Sequence, residues 1–151
     1  ICITRNRPSK HIVTILIGND MFTWPIPGYT NVTSEYGYRV HQSVGEYKLH
    51  SGTDVGAPVG TSFVAMADGV VTKACYNGGY GNCVIIDIGN GVSTLYAHGT
   101  NLLVKTNDRV TKGQPVLTVG STGNSTGPHA HFEVMINGKT VDPMQYFERS
   151  D

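Results

Sequence analysis

A chain of 151 residues is long enough for one domain with its own core. Eleven acidic and eleven basic residues cancel, which removes the electrostatic case for a nucleic-acid partner, and the longest apolar run, residues 12–17 with Thr14 inside it, is too short to span a bilayer. Nineteen glycines and seven prolines announce many tight turns, and three cysteines, an odd number, do not complete a disulfide framework.

Residues 1–22 read as an N-terminal extension or linker and residues 23–151 as the folded domain. In the extension, residues 10–17 form a strand candidate with Gly18-Asn19-Asp20 as its turn, and His11 reads as an ordinary surface or strand histidine. The chain starts at Ile1 without an initiator methionine, so a fragment or processed form is expected. Trp24-Pro25-Ile26-Pro27-Gly28 leads into the domain; two prolines so close exclude a helix interior and a central strand, and Trp24 is expected to pack. Residues 44–49 lead to His50, with Tyr47 placed either beside the site or half-buried on a strand.

From Gly60 onward the pattern is strand after strand, with no long helix and no internal repeat. Residues 62–66, 70–75 and 83–88 are apolar and β-branched, and Gly89-Asn90-Gly91 supplies a hairpin turn. The return strand 92–97 ends by delivering His98; residues 102–104 and 115–119 are two more strand candidates. Cys75 and Cys83 flank the glycine-rich tip 76–82, so a cross-strand disulfide is expected in an exported protein and two free thiols in a cytosolic one. Residues 120–128 form a small polar loop that lacks the G-K-[ST] ending of a phosphate cradle and reads as a groove wall. A last hairpin turns at Asn137-Gly138, and Asp142-Pro143 caps one helical turn. The fold class is all-β, built of antiparallel sheets.

Chemistry concentrates in two stretches. In Gly127-Pro128-His129-Ala130-His131-Phe132-Glu133-Val134, a strand places His129 and His131 on one face, so that one imidazole can bind a metal while the other serves the chemistry beside it. His50-Ser51-Gly52-Thr53-Asp54 adds a histidine and a carboxylate four residues apart; Gly52 argues against a helix there, where it would cost about 1 kcal/mol. The alternative for Asp54 is a turn cap over Gly56. Imidazole and carboxylate suit zinc, and three protein ligands with one open position make a hydrolytic site.

These stretches, with Gly37-Tyr38-Arg39-Val40-His41, Tyr96-Ala97-His98 and the loop Ser121-Thr122-Gly123-Asn124-Ser125-Thr126, resemble the lysostaphin-type (LytM-domain) zinc metallopeptidases, which cut peptide bonds in peptidoglycan. The resemblance runs from about Trp24 to Phe147. It departs at Gln42, where the family usually has proline, and at Asn107, where it usually has glycine. It implies an open groove in a fold of the duplicated-hybrid-motif, barrel-sandwich type, with zinc held by His50, Asp54 and His131. It also implies His98 and His129 as the catalytic pair; the resemblance does not fix which is base and which oxyanion stabiliser, and His129 is taken as the base and His98 as the stabiliser. Arg39 is expected to brace the fold or groove, His41 is not carried over as a ligand, and Glu133 is expected in a structural or supporting role. The implied partner is peptidoglycan peptide, with no nucleic acid and no membrane span, and a monomer is expected. The implied location is extracytoplasmic, a phage-associated origin included. Glycine bridges and direct cross-links both stay open as substrates. The rival reading is a non-catalytic or latent cell-wall binding or scaffold module, from which a complete set of five site positions would distinguish an enzyme.

Overall fold

Alternating β-branched and polar residues, cut by glycine and asparagine turns, make twelve strands and no α-helix among the described residues, 21–41 and 46–147 of the computed structural model. They are β1 (Val32–Ser34), β2 (Gly37–His41), β3 (Glu46–His50), β4 (Thr53–Gly56), β5 (Ser62–Val64), β6 (Gly69–Tyr76), β7 (Asn82–Gly89), β8 (Val92–Leu102), β9 (Arg109–Val110), β10 (Pro115–Val119), β11 (His129–Ile136) and β12 (Lys139–Val141). Residues 10–17, their turn and His11 lie outside the described residues, as does Gln42 and the side chains of Arg39 and His41.

The main sheet is ordered β1-β4-β11-β8-β7-β6-β9, with β10 joining β5 to β8 and β12 paired to β11; β2 and β3 form a separate two-stranded sheet. All of these pairings are antiparallel. Two positions matter most. β11 lies between β4 and β8, with His131 opposite Asp54 on one side and Ala97 on the other. The β2–β3 hairpin closes with Gly37 opposite His50.

The inward faces of these strands bury Phe63, Val84, Ile86, Tyr96, Leu117, Phe132 and Val134. Each such side chain contributes about 1.5–3 kcal/mol when fully buried. Trp24 packs, as expected: its ring meets Phe132 and Phe147 edge-on at 5.6 and 5.1 Å, and its Nε1–H donates to the Tyr29 carbonyl at 2.7 Å. The turn at Asn90 and Gly91 has positive φ at both residues, 56° and 78°, the geometry that joins twisted strands. Asn107, standing where the family usually has glycine, takes the left-handed conformation, φ 79°, and the Asp142 carboxylate caps its turn by accepting from the Met144 N–H at 2.9 Å.

Three expectations change. The strand that begins at Val92 does not stop at Ala97 but continues to Leu102, because β10 pairs with its outer half through Gly99 and Leu102; residues 102–104 are therefore not a strand of their own. Tyr47 neither lines the groove nor is half-buried: it is 71% exposed and stacks on Tyr38 at 5.1 Å on the β2–β3 hairpin. Cys75 and Cys83 do stand opposite one another in β6 and β7, yet they are not bridged. Cys75 is disulfide-bonded while Cys83 is a free thiol, turned into a buried cluster with Leu95 and Ala97. Burial pushes the Cys83 thiol up to about 12, which keeps it protonated and unreactive.

Tyr96 ties β8 into the core. Its buried hydroxyl accepts from the Met66 N–H at 2.8 Å and donates to Thr94 Oγ1 at 2.9 Å. Tyr96→Phe strands that N–H without a partner and is expected to cost about 1–3 kcal/mol, read as a lower urea midpoint at unchanged slope.

Candidate metal centre and active site

Register and spacing bring three groups from three strands together. His50 ends β3, Asp54 lies in β4 and His131 in β11, and their ligand atoms all fall within 4.8 Å of one another. Asp54 is the hub: Oδ2 lies 3.2 Å from His50 Nε2, and Oδ1 lies 2.7 Å from His131 Nδ1. Asp54 is thus a strand residue aimed at two imidazoles, not a turn cap over Gly56.

The remaining ring nitrogens are tied back. His50 donates from Nδ1 to the Glu35 carbonyl at 2.8 Å, which turns Nε2 towards Asp54. His131 Nε2 bonds Glu133 Oε2 at 2.8 Å, which turns Nδ1 towards the cluster. Glu133 follows His131 by two residues on the strand, so it shares that face, and it is only 1% exposed. Ser51 Oγ and Tyr80 OH donate to the same oxygen at 2.6 and 2.8 Å. Two imidazole nitrogens, each on a ring tied back by a second partner, and a carboxylate form a donor set that fits zinc.

Charge in the site follows from these contacts. Burial would raise the Asp54 carboxyl, but hydrogen bonds from His131 and His50 outweigh it and hold the group well below the usual carboxylate range. Burial opposes charge on His131 too, yet the bonds to Asp54 and Glu133 win and push it up to about 9. Glu133 is likewise lowered, its burial offset by His131 and Ser51. Burial, with the charge of Glu133 beside it, pushes Tyr80 up to about 12, so its hydroxyl remains a donor.

A second histidine pair faces the same groove. His98 donates from Nδ1 to the Thr122 carbonyl at 2.7 Å, and His129 from Nδ1 to the Gly127 carbonyl at 2.9 Å, so both present Nε2 as an acceptor. Their rings are 4.9 Å apart, and His129 Nε2 is 3.6 Å from Asp54 Oδ1. His98 is aimed by its backbone. Between Val84↔Tyr96 and Asn82↔Gly99 β8 carries one extra residue, and there His98 adopts φ 61°, a conformation that costs a non-glycine residue about 1–2 kcal/mol. Burial lowers its pKa and keeps it neutral.

The groove encloses about 500 Å³ and is walled by Lys48, Ser51, Gly79, Tyr80 and the loop residues Asn124, Ser125 and Thr126 around the histidines and Asp54. Loop 120–128 is the wall expected of it. All five sequence-derived site residues therefore converge. Ser51, Tyr80 and Thr122 went unnoticed, because their partners lie 82, 53 and 24 residues away and no local spacing links them.

Such a site on such a scaffold marks a metal-dependent hydrolase. Residues 48–143 match Peptidase family M23, and the chain belongs to that family. It is 47% identical over 116 residues to the DD-carboxypeptidase/endopeptidase Mpg of Neisseria meningitidis serogroup B, a match covering 77% of this chain and 27% of that protein. It superposes on a zinc containing peptidase from Vibrio cholerae with a TM-score of 0.76 at 31% identity, over 86% of this chain and 40% of that one. The catalytic domain of lysostaphin from Staphylococcus simulans matches with a TM-score of 0.69 at 31% identity, over 78% of this chain and 91% of that domain. The chain spans about a quarter of the length of the curated relative, and the lysostaphin-type fold expected from the sequence is borne out.

Two outcomes follow from the cluster. Gly52 lies so close to β11 that an added Cβ would collide with the Phe132 carbonyl and sit 2.9 Å from His131 Cε1. Gly52→Ala is expected to lower metal affinity at least tenfold, measured by competition with a chelating dye. Metal loading must also expel the extra proton from His131 at any pH below about 9. Zinc affinity should thus rise about tenfold per pH unit from 7 towards 9 and fall on acidification; titration calorimetry in buffers of different ionisation enthalpy reads the released proton.

Proposed function

We propose that this chain is a zinc-dependent endopeptidase that hydrolyses amide bonds in the peptide stems or cross-bridges of peptidoglycan. The observation that carries this reading is the cluster of His50, Asp54 and His131 with its far nitrogens tied to Glu35 and Glu133, beside a second histidine pair in the same groove. His50 Nε2, His131 Nδ1 and an Asp54 carboxylate oxygen would hold the metal. The chemistry a zinc ion supplies in such a site is Lewis-acid polarisation of a carbonyl and acidification of water.

The chain's own residues do the rest. His129, whose Nε2 stands beside the cluster as an acceptor, takes a proton from the attacking water and returns it to the leaving amine. His98 faces the same space from 4.9 Å away, but its N–H is committed to Thr122. It therefore orients the water or a substrate N–H, a role we assign in place of the oxyanion donation expected from the sequence. Glu133, held by Ser51 and Tyr80, fixes the ring of His131. Loop 120–128 supplies both the carbonyls that aim the pair and a wall for the substrate backbone. The substrate class is supported by the relative named DD-carboxypeptidase/endopeptidase. Action outside the cytoplasm, where that substrate lies, belongs to the same proposal. All five site positions are filled, which favours an enzyme over a non-catalytic module.

The decisive comparison is between two neighbouring histidines. His131→Ala is expected to lose zinc and hydrolysis of purified sacculi together. His129→Ala is expected to keep zinc while turnover falls by roughly 10²–10⁴-fold. Elemental analysis and mass spectrometry of new amine ends read the two effects, and the opposite pattern reverses the assignment. Chelation should abolish cleavage while far-UV circular dichroism survives, since the core does not depend on the site.

A further inference from the structure

We propose that Thr122 and Asn82 are positioning residues for His98. Together they lock the irregular stretch of β8 that turns this imidazole out of the core and into the groove. The proposal rests on the endopeptidase reading above, in which His98 acts on water or substrate, and adds to it the side chains that hold His98 in place.

Regular alternation would bury His98. Tyr96 pairs with Phe132, and both are in the core; Ala97 pairs with His131 and shares its side of the sheet. The next residue, His98, would follow Tyr96 inward. The extra residue of β8 between Val84↔Tyr96 and Asn82↔Gly99 breaks the alternation, and His98 joins the groove lining instead. A shift of that irregularity by one residue would return the ring to the core side.

Two side chains hold the backbone just beyond His98. The Thr122 hydroxyl donates to the Gly99 carbonyl at 2.7 Å and accepts from the Asn82 N–H at 3.1 Å. The Asn82 side-chain amide carries two hydrogens and donates to the carbonyls of Gly99 and Thr100, at 3.1 Å each. A bulge disrupts the ladder locally, and these donors take up the carbonyls beside it. Thr122 also accepts from His98 Nδ1 through its own carbonyl. One residue therefore grips both the ring and the peptide that follows it. A bond to Nδ1 alone would let the ring swing about that contact; a second anchor on the adjoining backbone removes the swing. Gly81 makes room for this grip: at φ 64°, it lies so near Thr122 that an added Cβ would collide with the Thr122 hydroxyl and backbone.

The test is a double-mutant cycle on zinc-loaded protein acting on a soluble cross-linked peptidoglycan fragment. Thr122→Val and Asn82→Ala are each made in wild type and in His98→Ala. In the presence of His98, each is expected to lower kcat roughly 10–100-fold, the scale of a misplaced reacting group, with KM and zinc content little changed. In the His98→Ala background the same substitutions should lower kcat no further. Thr122→Ser, which returns the hydroxyl, should recover most of the loss. Equal losses with and without His98, full kcat in both folded variants, or a Thr122→Ser as impaired as Thr122→Val overturns the proposal and leaves the endopeptidase reading intact. If one variant fails to melt cooperatively, the other carries the same cycle; loss of the folded state in both assigns the contacts to stability and overturns the proposal too. Full activity of His98→Ala removes the role of His98 and the proposal with it. Failure of the folded, zinc-loaded wild type to cut the fragment or purified sacculi overturns the endopeptidase reading itself.

Discussion

The antiparallel register that sets Asp54 opposite His131 is the constraint on which the site depends. Directly opposed residues on neighbouring strands share a face, with Cβ atoms about 4.5–5.5 Å apart. A one-residue slip of β11 would turn His129, His131 and Glu133 into the core and bring Ala130 and Phe132 to the groove. The core forbids that slip, because Ala130, Phe132 and Val134 are completely buried on the far side of the strand. Packing on one face thus fixes chemistry on the other. The same strand pairs with β8 and so sets the distance from His131 to His98.

Two carboxylates meeting one buried imidazole would be an unstable arrangement without a cation between them. His131, protonated and in contact with both Asp54 and Glu133, supplies that cation when no metal is present. Ser51 and Tyr80 complete the coordination of Glu133, which would otherwise be a buried charge several kcal/mol uphill. A divalent ion in the cluster takes over the electrostatic role of the proton. The protein is therefore preorganised around positive charge in either state, which is why the donor atoms lie so close together. The histidine pair is organised differently, by backbone carbonyls on a loop that is itself locked to the Gly78–Tyr80 turn through the Asn124 N–H and the Gly79 carbonyl.

The candidate ligands were legible as a set through the family resemblance; strand geometry alone gave the shared face of His129 and His131 and left open which of the two meets a metal. The hairpin turn at Asn90-Gly91 and the cap at Asp142 were legible because their chemistry is local. Other features depend on contacts between distant segments. The run 92–97 looks like a complete strand, and nothing in its composition reveals that β10 extends it or that His98 sits on an extra residue with positive φ. The cysteine pairing misled for a related reason. Opposite positions on paired strands were correctly inferred, but which way the Cys83 thiol turns is decided by a pocket formed with Leu95 and Ala97. Tyr80 is an ordinary residue in a sequence and acquires meaning only from the groove around it.

The β2–β3 hairpin is hydrogen-bonded as a sheet of its own, apart from the strands that carry Asp54, His98 and His131. Its one contribution to the metal cluster, His50, sits at its base, opposite Gly37 and anchored to the Glu35 carbonyl. The outer part of the hairpin, with the stacked Tyr38 and Tyr47, is thereby insulated from the ligand geometry. Sequence drift or deliberate grafting can reshape this outer part of the hairpin without retuning the candidate metal cluster. The fold thus places a surface element that can be exchanged beside residues whose geometry stays fixed by other strands.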